Sequence, residues 1–190
     1  WDAYDIATTV HPTGVGGGSN SMLYTLPALM DGLSISASYA PTGSGAVGTE
    51  AASGMSATYT GVEGLSVSYG TGDGATANTS AEALKASYAY GPITVAYSSY
   101  EFDADGTSSD DDTTSYKVSY TVSDEISISY GTETVERAAL EDVETSRISA
   151  SYTAGGMTIS ATMDEIENMD GSTTSTQDRE RWALGASFAF

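Results

Sequence analysis

The sequence predicts an all-β chain, a transmembrane antiparallel up-and-down β-barrel, on three observations. Short runs alternate apolar with small or polar residues, the two-residue period of a pleated strand with two unlike faces. The connections between the runs alternate short and long. Aromatic residues gather at the two ends of the runs. The last run shows the design. In residues 179–190, RERWALGASFAF, one face takes Trp182, Leu184, Ala186, Phe188 and Phe190, and the other takes Arg181, Ala183, Gly185, Ser187 and Ala189. A strand of this kind fits either a sandwich core or a lipid surface. Aromatics near both ends, and a positive charge with no partner in its own run, favour lipid.

Taken in order, the glycines 16–18 precede a short strand near residues 21–26, and a connection through Pro27 and Asp31-Gly32 leads to an alternating run at 33–39. A loose Gly-rich stretch follows at 41–53, then a strand at 55–59, a Gly-bounded turn at 61–64 and a strand at 65–69. Further alternating runs occupy 84–90, 93–97, 116–120, 126–130, 148–152, 157–163 and 182–190, which makes about eleven strands. Residues 81–85 and 136–143 are rich in helix formers. The first leads directly into an alternating run and is assigned to the strand; the second is expected to form a helical turn inside a long loop.

Short connections lie at 90–92, 122–125 and 153–156, and long ones at 70–80, 103–114, 132–145 and 164–178. Tight turns at one end and long acidic loops at the other are the mark of an up-and-down barrel in a membrane. Tyr39, Tyr69, Tyr97 and Tyr130 then end strands running toward the long loops. Tyr59, Tyr88, Tyr120, Tyr152 and Phe188 end strands running toward the short turns. With Trp182 and Phe190 they form two expected aromatic girdles at headgroup level.

Composition narrows the function classes. Acidic residues outnumber basic ones 26 to 6 in 190 residues, a formal charge of −20, which disfavours nucleic acid as a partner. There is no cysteine, so no disulfide framework and no thiolate site. No apolar run approaches the roughly 18 residues of a spanning helix. The opening residues, Trp1-Asp-Ala-Tyr-Asp-Ile, lack a basic segment and an apolar segment of a signal peptide. The expectation is a mature terminus or the C-terminal portion of a longer protein.

Catalytic chemistry is sparse. The single histidine, His11, precedes Pro12 among glycines, and no serine lies in a recognisable nucleophile context, so no enzyme is expected. Asp110, Asp111 and Asp112 form a carboxylate run that could gather Ca²⁺, although without the glycine and ligand spacing of an EF-hand loop. A solvated acidic loop is the ordinary alternative. No other cofactor is expected. The scarce basic residues are more informative. With Leu84, Tyr116, Ile148 and Trp182 facing lipid, Lys85, Lys117, Arg147 and Arg181 all face the lumen, one per hairpin. A charge on the lipid face would cost about 2–4 kcal/mol at mid-depth. The four form either a slanted positive ladder or ordinary lumen polarity paired to loop carboxylates.

The stretches Ser19-Asn-Ser-Met-Leu-Tyr24 and Leu29-Met-Asp-Gly-Leu-Ser-Ile-Ser-Ala-Ser-Tyr39, with the terminal Phe190, resemble the general diffusion porins of Gram-negative bacteria. The resemblance implies a sixteen-stranded, homotrimeric barrel of which this chain supplies about the last eleven strands. Residues 1–20 would be the end of an inward-folded pore loop whose carboxylates are Asp2 and Asp5, and residues 21–190 the barrel strands. A basic wall opposite that loop would set a transverse field at the constriction. The implied setting is the bacterial outer membrane, with lipid and lipopolysaccharide around the protein and small hydrophilic solutes and ions passing through it. The competing expectation is an acidic surface β-protein, of adhesin or S-layer type, without transport.

Overall fold

The computed structural model describes residues 21–41, 48–104, 110–138, 140–172 and 177–189. They form eleven strands and, among the described residues, no helix: β1 (Met22–Thr25), β2 (Leu33–Ala40), β3 (Ala52–Tyr59), β4 (Leu65–Asp73), β5 (Ser80–Tyr90), β6 (Ile93–Asp103), β7 (Asp111–Thr121), β8 (Ile126–Arg137), β9 (Val143–Ala154), β10 (Met157–Glu167) and β11 (Arg179–Phe188). Each strand pairs antiparallel with the next, so the sheet order is the chain order from β1 to β11. This is the up-and-down meander that alternating turns and loops dictate.

The short turns repeat one device. A carbonyl in each turn accepts the amide of a residue just beyond the end of, or at the end of, a neighbouring strand, as in Thr60 N to Gly32 O, Ala89 N to Gly64 O, Thr121 N to Pro92 O, Thr153 N to Glu125 O and Ala189 N to Gly156 O, all at 2.8 Å. Gly32 and Gly64 make this approach possible. Both have positive φ, +78° and +77°, and a Cβ there would lie 2.3 Å from Gly61 N and 2.2 Å from Ala89 O. Any other residue would clash with the backbone it caps.

Register assigns every strand residue to one of two faces, since directly paired residues share a face. One face carries Tyr88, Tyr116, Ile128, Ile148 and Leu184, and it is open: Tyr116, Ile148 and Leu184 are 54%, 53% and 80% exposed. The opposite face carries the buried side chains, Ser98, Thr113, Ser115, Glu133, Thr145 and Asp164 among them. Among the described residues one sheet stands without a second layer, and such a sheet buries one face by curling toward it, so this is the inner face. The few buried apolar side chains also lie there. Tyr100, Val135 and Val143 belong to one cross-strand row, Ala83–Tyr100–Thr113–Val135–Val143, near the long-loop end. The chain is therefore polar inside and apolar outside, the reverse of a water-surrounded fold.

The strands are longer than the apolar alternation suggests. β4, β6 and β8 run on to Asp73, Asp103 and Arg137, beyond Tyr69, Tyr97 and Tyr130, which lie within their strands and not at their ends. The expected long loops shrink accordingly. Of the stretch 136–143, where a helical turn is expected, Glu136 and Arg137 instead close β8 and Val143 opens β9, with a turn bond from Leu140 N to Arg137 O at 3.1 Å between them. Beyond the tyrosines the outer face turns polar and the apolar residues move to the inner face, as at Tyr100 and Val135, so the alternation changes phase while the backbone ladder continues, as antiparallel pairing does not require an apolar outer face.

Candidate functional site

The inner face is organised in three zones. Near the short turns it is covered with hydroxyls that pair across strands. Ser129 and Ser149 Oγ atoms lie 2.6 Å apart, Ser127 and Ser151 2.7 Å, Thr153 and Thr158 Oγ1 2.9 Å, Thr58 Oγ1 and Ser68 Oγ 2.9 Å. Short hydroxyl side chains suit a crowded concave surface that must stay wettable. Near the long loops the face carries the apolar row of Tyr100, Val135 and Val143. The rows that hold Lys85, Lys117, Arg147 and Arg181 lie between.

Lys85, Lys117, Arg147 and Arg181 all lie on this inner face. One cross-strand row reads Lys117–Gly131–Arg147–Asp164–Arg181, and the next reads Lys85–Ser98–Ser115–Glu133–Thr145. A niche of about 170 Å³ opens beside Lys85, lined by Ser66, Ser68, Ser87 and Ala96. Arg137 and Arg179 share the inner face too, so all six basic residues of the chain lie there.

Sequence reasoning missed the wall's own carboxylates. Asp164 on β10 is wholly buried between Arg147 on β9 and Arg181 on β11. Arg147 donates Nε to Oδ1 and Nη2 to Oδ2, the latter at 3.0 Å. Arg181 donates Nε to Oδ2 at 2.8 Å and places Nη2 2.7 Å from the same oxygen. Glu133 is equally buried and accepts the Ser115 hydroxyl at 3.2 Å. Arg147 and Arg181 are thus compensated from the strand between them. The signal was the parity of β10, where Thr158, Ser160 and Thr162 lead inward to Asp164.

Other carboxylates cover the outer face beyond the outer tyrosines. Glu82, Glu101, Asp112 and Glu136 are direct partners in one row, and Glu144–Glu167 and Glu165–Glu180 are further outer pairs. This corrects the reading of Asp110, Asp111 and Asp112 as one loop cluster. Asp111 and Asp112 open β7 and point to opposite faces, while Asp110 precedes the strand and accepts the Ala104 amide at 3.0 Å. The three do not converge, and no group of metal-ligating side chains forms among the described residues. Loss of solvent, then the charges of Asp103, Asp110 and Asp111, push the Asp112 carboxyl above the usual range. Tyr39, Tyr59, Tyr69, Tyr88, Tyr97, Tyr120, Tyr130, Tyr152, Trp182 and Phe188 all lie on the outer face. Asp2, Asp5, His11 and Phe190 lie outside the described residues.

Solved structures that share this fold include a porin and an outer-membrane channel. OccK8 (OprE) of Pseudomonas aeruginosa aligns with a TM-score of 0.67 at 12% identity, over 87% of this chain and 60% of its own. The channel DcaP of Acinetobacter baumannii gives 0.67 at 16%, over 94% and 65%. A triple mutant of the Rhodopseudomonas blastica porin gives 0.59 at 16%, over 90% and 55%. The chain thus spans less than two thirds of the length of each. No curated protein matches in sequence. The family model described as Gram-negative porin matches residues 1–190, the whole chain, and with the inverted polarity of the sheet this establishes that the chain belongs to the Gram-negative porin family.

Proposed function

We propose that the complete protein forms a water-filled channel for passive diffusion of small hydrophilic solutes and ions across the bacterial outer membrane. The carrying observation is the inverted polarity of the wall: exposed aromatic and aliphatic side chains outside, hydroxyls and all six basic residues inside. Neither an adhesin nor a surface-layer protein needs a wettable face turned inward. The lumen side carries Lys85, Lys117, Arg147 and Arg181, with Asp2 and Asp5 assigned to a facing pore loop. Closure into a sixteen-stranded barrel and assembly as a homotrimer belong to the same reading, because a sheet edge left open in hydrocarbon leaves backbone groups unsatisfied. Lipopolysaccharide is the expected neighbour of the outer carboxylate band, with divalent cations between the two. Family membership points to a channel and not to an enzyme.

The test is reconstitution. The purified protein should need detergent for extraction, migrate faster on unheated gels, and give stepwise conductance in planar bilayers and swelling of sugar-loaded vesicles. Release by chelator alone, with no conductance at any protein concentration, would establish the surface-coat reading instead.

A further inference from the structure

We propose that Asp164 is a positioning residue that keeps Arg147 and Arg181 from trapping anionic solutes, so that this stretch of wall attracts anions without binding them. The proposal rests on the channel reading above. Asp164 itself cannot meet a solute, because its side chain is fully buried. What it does is occupy guanidinium forks. Arg147 spends Nε on Oδ1 and Nη2 on Oδ2, and Arg181 spends both Nε and Nη2 on Oδ2, with contacts of 2.7 Å to 3.0 Å from Arg181 and from Nη2 of Arg147. Those are the paired donors with which a guanidinium grips a carboxylate or phosphate.

The arrangement follows from register. Arg147 and Arg181 are the direct partners of Asp164 on its two sides, so one short carboxylate reaches both. A carboxylate built into the wall therefore stands where a solute's carboxylate would otherwise dock. The trio carries one net positive charge. Arg181, with 43% of its side chain exposed against 17% for Arg147, presents most of it to water. The long side chains are also drawn along the sheet and not out across the lumen.

Removing the built-in carboxylate should convert the trio into a binding site. In the complete channel, Asp164→Asn should change the anion-to-cation permeability ratio in KCl upward by about two- to sixfold. That is the range for one unit charge about 8 Å from an ion, screened or not, acting oppositely on the two ions. Inorganic phosphate or succinate at millimolar concentration should block chloride current through Asp164→Asn by half or more. The parent and Asp164→Glu, which keeps the charge, should pass the same probes without block. A merely structural role would lower the yield of channels and leave both readouts unchanged in those that assemble.

If Asp164→Asn does not assemble, Arg181→Gln decides. It leaves Arg147 and Asp164 as a neutral pair, so the ratio should fall by a similar factor with no phosphate block; an unchanged ratio overturns the proposal. Asp164→Asn channels with the parent's ratio and no phosphate block overturn it equally. A parent that inserts but never conducts overturns the channel reading, and this inference with it.

Discussion

Arginine placed at two adjacent positions of β8 should separate the faces of the wall. Ile128 lies on the outer face between Tyr120 and Ala150, and Ser129 lies on the inner face opposite Ser149. Ile128→Arg puts a charge into lipid between the turn-end aromatic level and mid-depth, costing about 2 kcal/mol, the lower end of the lipid-face range. It also removes an isoleucine about half exposed to lipid, roughly 1 kcal/mol more. Ser129→Arg gives up one hydroxyl pair of 2.6 Å, worth about 1 kcal/mol, and delivers its guanidinium to water. The difference, about 2 kcal/mol, is measurable by urea-dependent folding into lipid vesicles, followed by the heat-dependent gel shift. Ile128→Arg should require markedly less urea to unfold than Ser129→Arg. Equal midpoints, or the reverse order, would refute the assignment of faces.

Lys85→Gln with Lys117→Gln should raise cation preference, read as a shift of reversal potential in a KCl gradient, while leaving the Asp164 trio intact. Replacing Arg147 and Arg181 as well would leave Asp164 buried and unpaired, a loss of about 3–5 kcal/mol. Asp112→Asn should stabilise the long-loop end at neutral pH by a few tenths of a kcal/mol, since its outer-face partners are Glu101 and Glu136 and the site is screened by solvent. The raised pKa of Asp112 gives the sign: its charge opposes folding, so the parent should gain stability as pH falls through the folded pKa, and the Asn variant should lose that part of the slope in pH-dependent unfolding. Gly64→Ala should cost about 1–3 kcal/mol in the same unfolding assay, because φ is +77° and the added Cβ would sit 2.2 Å from Ala89 O.

Which parts of this were legible in the sequence follows from what alternation can report. Runs such as 33–39 and 157–163 announce their strands because lipid and water select opposite residues at successive positions. The ends of β6 and β8 do not show in the alternation because the apolar residues change face there: outside, Tyr97 and Tyr130 give way to Ser99, Glu101, Thr132 and Thr134, while Tyr100 and Val135 lie buried inside, so the period set by the earlier residues breaks. The four basic positions could be read from parity alone. Their partner could not, since Asp164 lies seventeen residues from both Arg147 and Arg181 and meets them only through the register of β9, β10 and β11. Asp110 to Asp112 misled for the same reason. Adjacency in sequence is not adjacency in space on a strand, which sends neighbours to opposite faces.

The outer carboxylates have a consequence for how deeply the protein can sit. Measured from the outermost apolar residue at the short-turn end, a carboxylate recurs eight positions along seven strands: Leu65 to Asp73, Tyr90 to Glu82, Ile93 to Glu101, Tyr120 to Asp112, Tyr152 to Glu144, Met157 to Glu165 and Phe188 to Glu180. Eight residues of strand rise about 27 Å, or about 21 Å along the membrane normal at a tilt near 40°. Hydrocarbon can climb the wall that far and no further, since a thicker bilayer would have to swallow several carboxylates at once. The wall thus carries its own waterline, set by charge at the upper edge and by aromatic rings at the lower, and a bilayer that meets this chain must thin or thicken to match it.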